Sequence, residues 1–148
     1  MRIHFRCPLK DRWTPSCWPG LRSERCVGRT DTAIRPYVLA ELDKAKQAAD
    51  NRDASGAFRH LENAHVLGQE STYWHVVVHW LMLIWGIRQR NGREVVGQLI
   101  RIVGAAALTA IKGVPIGNTG GSNVSPIKPL PVSSEHAAII AEAKGMQD

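Results

Sequence analysis

The sequence predicts an all-α fold: a helical bundle of four main helices plus a short C-terminal helix, with a long Gly/Pro-rich loop before the last helix. Three observations lead to this class. Apolar residues recur at helical spacing from about residue 35 onward, and helix-stopping residues separate the apolar segments. No segment shows the alternation of apolar and polar residues that predicts a strand. We therefore expect one helical bundle domain over residues 34–148.

Length and charge limit the classes of function. A chain of 148 residues is long enough for one domain with its own core. The formal net charge is +6, but residues 1–36 hold 8 lysines and arginines against 3 aspartates and glutamates, which leaves 11 against 10 for the rest. The domain itself is therefore nearly neutral. It lacks the basic face of a nucleic-acid binder, so we expect no nucleic-acid partner.

The N-terminal segment, residues 1–33, shows no periodicity and contains three prolines and all three cysteines of the chain. We expect a disordered or non-native N-terminal extension. A zinc site built from His4 and the three cysteines is the functional alternative, but their spacing matches no common zinc finger. Another reading is that translation begins further in, for example at Val27.

Two features bear on localisation. The N-terminus lacks the continuous apolar region of a secretory signal, so a cytoplasmic location is the default expectation. The longest apolar run, residues 73–87, is shorter than the roughly 20 residues that cross a bilayer, and it contains two histidines. We therefore expect no membrane partner.

The first two helices are predicted as an antiparallel pair. Helix one carries Pro36 in its first turn, which proline tolerates. Its apolar stripe consists of Val38, Leu39, Leu42, Ala45 and Ala49. The sequence NRD at 51–53 ends it, Asp53 or Ser55 caps helix two, and Gly68 stops helix two. The short link predicts the antiparallel arrangement.

Helix three begins at a cap formed by Ser71 or Thr72 and ends near Gly86. It is apolar nearly all round, which predicts a central position with the other helices wrapped around it. Helix four starts near Arg93 and continues into an alanine-rich stretch. Four prolines and, with Gly113, four glycines then mark the long loop. A short helix from Glu135 to about Lys144 closes the chain.

Helix two carries the first candidate ligands. Glu62 and His65 lie on its apolar face, at i+4 and i+7 from Phe58. A glutamate aimed at a core is costly unless it is paired or coordinates a cation. The spacing Glu-x-x-His places a carboxylate and an imidazole on one side of a helical turn, as in helical bundles that hold iron or manganese. The sequence has one copy of this spacing, whereas two would be a strong signal.

Helices three and four complete the candidate site. His75 and His79 are four residues apart, so both rings can approach one ion. The pair is not that of a zincin, because Val76 stands where the catalytic glutamate would follow the first histidine. On helix four, Glu94 is the natural fifth ligand and Gln98 a residue that would hydrogen-bond a ligand. The predicted metal residues are Glu62, His65, His75, His79 and Glu94.

A structural explanation competes with the metal site. A single buried histidine is more often a hydrogen-bonded core residue than a ligand, and an intrahelical carboxylate can pair with an arginine such as Arg101. The coincidence of five such residues on three consecutive inward faces favours a transition metal ion, with zinc and iron leading and copper or nickel left open. His60 points away from that face and His136 follows the long loop, so both are expected to be exposed to solvent.

The loop GNTGGSN, residues 117–123, is rich in glycine but is no phosphate-binding loop, because it lacks the lysine and the strand-to-helix context. Its glycines are expected to supply positive φ in a tight turn, and Asn118 and Asn123 to bond the loop's own backbone. A lid over the metal cavity is the functional alternative.

From about Thr32 to Lys144 the chain resembles a small bacterial family catalogued only as a domain of unknown function. The segments that carry the resemblance are IRPYVLAEL, FRHLENAHVLGQ, HVVVHW, REVVGQLIRI and VPIGNTGGSNVSP. The family has no established activity to transfer. Its members often occur near heavy-metal resistance genes in mobile elements, so the resemblance loosely implies a link to metal resistance. The segment before Thr32 departs from the pattern.

Two functional hypotheses follow. The first is a metal-binding helical bundle, with or without metal-dependent chemistry, so the sequence leaves open whether the chain is an enzyme. The second is a non-catalytic interaction scaffold, because helices one and two resemble a single tetratricopeptide-like hairpin with small residues at its interface. A lone repeat cannot bury both of its faces, and no further copies follow. A homodimer through helix one or helix five is left open.

Overall fold

The structure, a computed structural model, describes residues 29–110 and 117–145, with five α-helices and no strand in those ranges. They are α1 (Arg29–Asp50), α2 (Ala54–Gly68), α3 (Thr72–Arg88), α4 (Gly92–Ala110) and α5 (Ser134–Gly145). The predicted all-α bundle is confirmed. None of the described helices is long and apolar enough to cross a membrane.

Helix α1 begins earlier than the sequence indicated. Pro36 was expected in the first turn, but the helix starts at Arg29 and Pro36 lies inside it. The reason is packing: Ile34 is buried in the core cluster with Val38 and Leu42, one turn apart along α1. Burial of Ile34 favours the helix ahead of the proline. Residues 29–33 of the expected N-terminal extension are therefore helical, and the rest of that segment lies outside the described residues.

Side-chain caps fix where the other helices start. Asp53 caps α2 by accepting a hydrogen bond from the Gly56 amide at 2.8 Å. Ser71 caps α3 by accepting from the Trp74 amide at 3.2 Å, and Ser133 accepts from the His136 amide at the start of α5. Each cap satisfies an amide that has no partner within its own helix.

Two helical hairpins form the bundle. Helix α1 pairs with α2, where the small buried residues Ala45, Ala57 and Ala64 allow close approach. Helix α3 pairs with α4 and also packs against α2 and α1. Helix α5 packs on α1 and α2. Helices α1, α2 and α3 thus each pack against three others, so α3 is not the single central helix that the sequence predicted. The core consists mainly of Val38, Leu42, Leu61, Leu67, Trp74, Val78, Leu81 and Met82.

Helix α4 packs with its polar stripe inward. Glu94, Gln98 and Arg101 are buried, whereas Val96, Leu99, Ile100 and Val103 of the same helix are exposed. These polar residues face α3 and the loop that follows α4, and they help to form the candidate site.

Candidate metal centre

Three histidines converge in the interior of the bundle. His65 comes from the last turn of α2, and His75 and His79 come from successive turns of α3. All three are between 2% and 5% exposed, and one ring nitrogen of each lies within 4.8 Å of the others. The ring centroids are 4.6 to 4.8 Å apart. The antiparallel packing of α2 on α3 therefore gathers three imidazoles around one point.

The hydrogen bond of His65 determines where its proton lies. Its Nδ1 is 2.8 Å from the backbone carbonyl oxygen of Asn118. Because a carbonyl oxygen can only accept, Nδ1 must carry the proton. In the neutral ring, Nε2 then carries the lone pair and faces the other histidines.

His79 is held in the same tautomer by Gln98. Its Nδ1 is 2.7 Å from the Gln98 amide oxygen. The Gln98 amide nitrogen faces three acceptors: a Glu94 carboxylate oxygen at 2.6 Å, the Gly120 carbonyl oxygen at 2.8 Å and the Met82 sulfur at 3.4 Å. A flipped amide would set its oxygen against all three acceptors, so the orientation is fixed by its surroundings. His79 Nδ1 is therefore the donor, and its Nε2 carries the lone pair.

These two tautomers place two lone pairs opposite each other. Nε2 of His65 lies 3.1 Å from Nε2 of His79. Two acceptors at that distance repel unless a cation lies between them, either a proton or a metal ion. For comparison, two nitrogens bound to tetrahedral zinc at about 2.05 Å lie about 3.3 Å apart. The donor set therefore fits a shared metal ion.

The surroundings of the two Nε2 atoms disfavour a proton between them. Burial lowers the pKa of His65 well below its usual value, and the neighbouring histidines lower it further. Burial also lowers the pKa of His79 to about 3 and that of His75 to about 4, with the Arg101 charge adding to both shifts. All three rings are thus neutral at pH 7. Neutral imidazole is the form that binds a metal ion.

The two predicted carboxylates, Glu62 and Glu94, are not part of the group of ligand atoms that lie within 4.8 Å of one another, which consists of the three histidines. Glu94 accepts hydrogen bonds from Gln98 and from the Ser122 amide, so it supports the residue that holds His79. Glu62 is partly buried one turn before His65. Burial raises its pKa, and the negative charge of Glu94 raises it further.

The loop of residues 117–124 covers the site. Asn118 accepts from His65 through its carbonyl, while its side-chain amide donates to the carbonyls of Ser125 and Lys128, each at 2.8 Å. Gly117 and Gly120 have φ angles of 76° and 80°, as expected for the tight turn. A Cβ on Gly120 would lie 2.7 Å from Cδ2 of His65, so only glycine permits this close approach.

Arg101 of α4 forms hydrogen bonds to the loop of residues 117–124. Its guanidinium donates to the carbonyl of Gly121 at 3.0 Å and to that of Val124. Its positive charge lowers the affinity of the histidines for protons, and it opposes a bound cation in the same way. The negative charges of Glu62 and Glu94 offset this repulsion.

The remaining histidine of α2 lies outside the site. His60 contacts Glu41 of α1 through its Nδ1 at 2.8 Å, and Asn63 donates to the same carboxylate oxygen at 3.0 Å. His60 therefore lies away from the ligand face as predicted, but it is half-buried against Glu41 and not fully exposed to solvent.

The contacts that backbone atoms make at the site do not follow from the sequence pattern. The Asn118 and Gly120 carbonyls accept from His65 and Gln98, and Arg101 holds the loop. The sequence contains one signal of these contacts, the glycine-rich loop of residues 117–123, for which a lid over the metal cavity is the functional alternative. The partners of a backbone carbonyl cannot be read from residue identity, because every residue carries the same group.

No curated protein and no solved structure matches the chain. One family model does match, described as a protein of unknown function, DUF3703, and it covers residues 32–140. Its span includes α1 from residue 32 onward, all of α2, α3 and α4, the three histidines and the loop above them. Because the match covers well over half of the sequence, the chain belongs to the DUF3703 family of proteins of unknown function.

Proposed function

We propose that this protein binds a single transition metal ion through His65, His75 and His79, with Glu62 and Glu94 flanking the ion or completing its ligand set. The observation that carries the proposal is the opposition of two lone pairs 3.1 Å apart, in rings whose protons are fixed by Asn118 and Gln98. A metal ligand histidine typically donates its second ring N–H to such an acceptor, which orients the ring.

The donor set favours zinc first and iron second. Three neutral imidazoles are borderline ligands that suit zinc, and no thiolate is near to select a softer ion among the described residues. If Glu62 joined two of the histidines, the site would instead present the two-histidine, one-carboxylate set that suits iron. Copper and nickel also accept imidazole, so the metal identity requires direct measurement.

The chemistry of the site depends on whether a ligand position stays open. A metal ion held by three histidines lowers the pKa of a bound water to about 7. Glu62 lies one turn before His65 on α2, and burial raises its pKa, which is the direction expected of a carboxylate that serves as a general base. The protein could instead only hold the metal ion, which agrees with the link to metal resistance that the resemblance implies. That role needs only the bound ion and the loop of residues 117–124 that covers it.

Metal titration of the full chain, purified without a histidine tag, tests the proposal. We expect uptake of one equivalent of Zn²⁺, and Co²⁺ in its place should give visible absorption bands typical of nitrogen and oxygen ligands. The control is His136→Ala, which removes a histidine at the start of α5 and should leave the stoichiometry unchanged. Less than about a tenth of an equivalent of Zn²⁺, Fe²⁺, Cu²⁺ or Ni²⁺ would reject the proposal.

A further inference from the structure

Helix α4 carries an exposed apolar surface, which we call the α4 aliphatic face. It consists of Val96, Leu99, Ile100 and Val103, each between 52% and 72% exposed. Their spacing of i, i+3, i+4 and i+7 is that of a stripe that packs against another helix. In an ordinary surface helix, this stripe would face the core.

Polar contacts fix the helix in this orientation. Gln98 and Glu94 are bonded to each other and to His79, Gly120 and Ser122, and Arg101 is bonded to the loop. Rolling α4 to bury its aliphatic face would break these contacts and expose the support of the metal centre. The aliphatic face therefore stays outward for as long as the site is intact.

Neighbouring residues enlarge the exposed apolar area. On α3, which packs against α4, Trp80 is 55% exposed and Ile87 is 59% exposed. Together with the α4 aliphatic face they present on the order of 600 Å² per chain, above the patch of a few hundred Å² that a soluble monomer usually shows. A standard interface buries about 800 Å² per partner, so this area is close to what a stable dimer needs.

We propose that the α4 aliphatic face is the interface between two copies of this chain. The four side chains carry no charge and no hydrogen-bonding group, so the complement they need is another aliphatic stripe, and a second copy supplies it in a twofold arrangement.

Charge favours an antiparallel pairing of the two α4 helices. Arg90 and Arg93 lie at the N-terminal end of α4, and a parallel pair would bring these charges of both copies together. In an antiparallel pair they lie far apart and close to the partner's α4 C-terminal end, where the helix dipole favours positive charge. This pairing leaves the metal centre on the opposite side of α4.

Sedimentation velocity of the full chain tests the dimer. We expect a species of about twice the 16.3 kDa chain mass at micromolar concentration. Ile100→Glu and, separately, Val103→Glu place a charge in the interface and should raise the dimer dissociation constant by about 30-fold or more. The matched control is Ile127→Glu, since Ile127 is equally exposed but lies in the long loop. It should leave the dimer intact.

Two further readouts separate this proposal from others. Circular dichroism and Zn²⁺ stoichiometry should be the same for Ile100→Glu and the parent, because Ile100 points away from the histidines. A parent chain that remains monomeric to about 100 µM would overturn the proposal and assign the face to another partner or to residues outside those described. A dimer that Ile100→Glu and Val103→Glu leave unchanged would also overturn it. Neither result would bear on metal binding.

Discussion

Gln98 is the residue on which the electrostatics of the site depend. Its amide oxygen accepts from His79, and its amide nitrogen donates to Glu94 and Gly120. It is fully buried, so these bonds have no water to replace them. Through this one side chain, α4 selects the tautomer of a histidine on α3.

Replacing Gln98 tests that role. In Gln98→Leu, the His79 N–H and the Glu94 carboxylate lose their partner, so we expect a free energy of unfolding lower by about 1 to 3 kcal/mol. Metal affinity should fall by about 10- to 100-fold, because His79 is no longer held with its Nε2 lone pair toward the ion. Denaturant unfolding and competitive Zn²⁺ titration measure the two effects. The control is Gln47→Leu on the exposed side of α1, and an unchanged affinity in Gln98→Leu would contradict the assigned role.

At the residue scale, the sequence predicted the imidazoles but not what orients them. His75 and His79 were identifiable because a four-residue spacing on an apolar helix puts both rings on one side. Glu94 was expected as a ligand; its carboxylate accepts a hydrogen bond from Gln98 at 2.6 Å, and its role as a ligand stays a prediction. The carbonyl of Asn118 was not predictable, because it reaches His65 from 53 positions along the chain.

At the scale of elements, the loop of residues 117–124 joins the site to α4. Its backbone accepts from His65, Gln98 and Arg101, and its Ser122 amide donates to Glu94. A Cβ on Gly97 would lie 1.9 Å from the Ser122 hydroxyl oxygen, so glycine in α4 also permits the close contact. The loop is therefore part of the site's construction.

Gly120→Ala should damage both fold and site. The positive φ and the clash with the His65 ring act together, so we expect a loss of stability of about 2 kcal/mol or more and weaker Zn²⁺ binding. Gly104→Ala is the matched control, because that position is helical with open space around it. It should gain up to about 1 kcal/mol through helix propensity. Thermal unfolding measures the stability of both variants. Equal changes in melting temperature would show that the loop does not press on His65.

Local sequence signals predict where most of the helices begin and end, but they do not predict which face of a helix turns toward the core. Asp53, Ser71 and Gly68 marked the ends of α2 and the start of α3, because capping is encoded within a few residues. The start of α1 was placed too late, because the burial of Ile34 is a tertiary effect. The exposed aliphatic face of α4 could not be foreseen, since hydrophobic periodicity gives two faces but not which one turns inward.

For the whole molecule, the neutral histidines couple stability to pH. The unfolded chain titrates its histidines near pH 6.5, whereas folding lowers the pKa of His75 to about 4 and of His79 to about 3. Above pH 6.5 the histidines are neutral in both the folded and the unfolded chain, so pH no longer changes the free energy of unfolding through them. Below it the unfolded chain binds protons that the folded chain does not, so the free energy of unfolding falls toward acid pH.

The metal-free chain should therefore lose stability steeply between pH 6.5 and pH 4. The expected slope is about 1.4 kcal/mol per pH unit for each buried histidine. Urea unfolding at pH 7, 6 and 5 measures it, and His75→Leu/His79→Leu should show a much shallower slope because two of the three groups are gone. A metal-free parent as stable at pH 5 as at pH 7 would contradict neutral burial of the triad.

The most direct test of the metal centre is the effect of a chelator on melting temperature. A metal ion that binds only the folded chain stabilises it by about 4 kcal/mol when its concentration is 1,000 times the dissociation constant. We predict that zinc-loaded parent melts several degrees higher than parent in EDTA. His75→Leu/His79→Leu should melt below the loaded parent and be indifferent to EDTA. Equal melting temperatures for parent and variant, both unaffected by chelator, would return the histidines to a purely structural role.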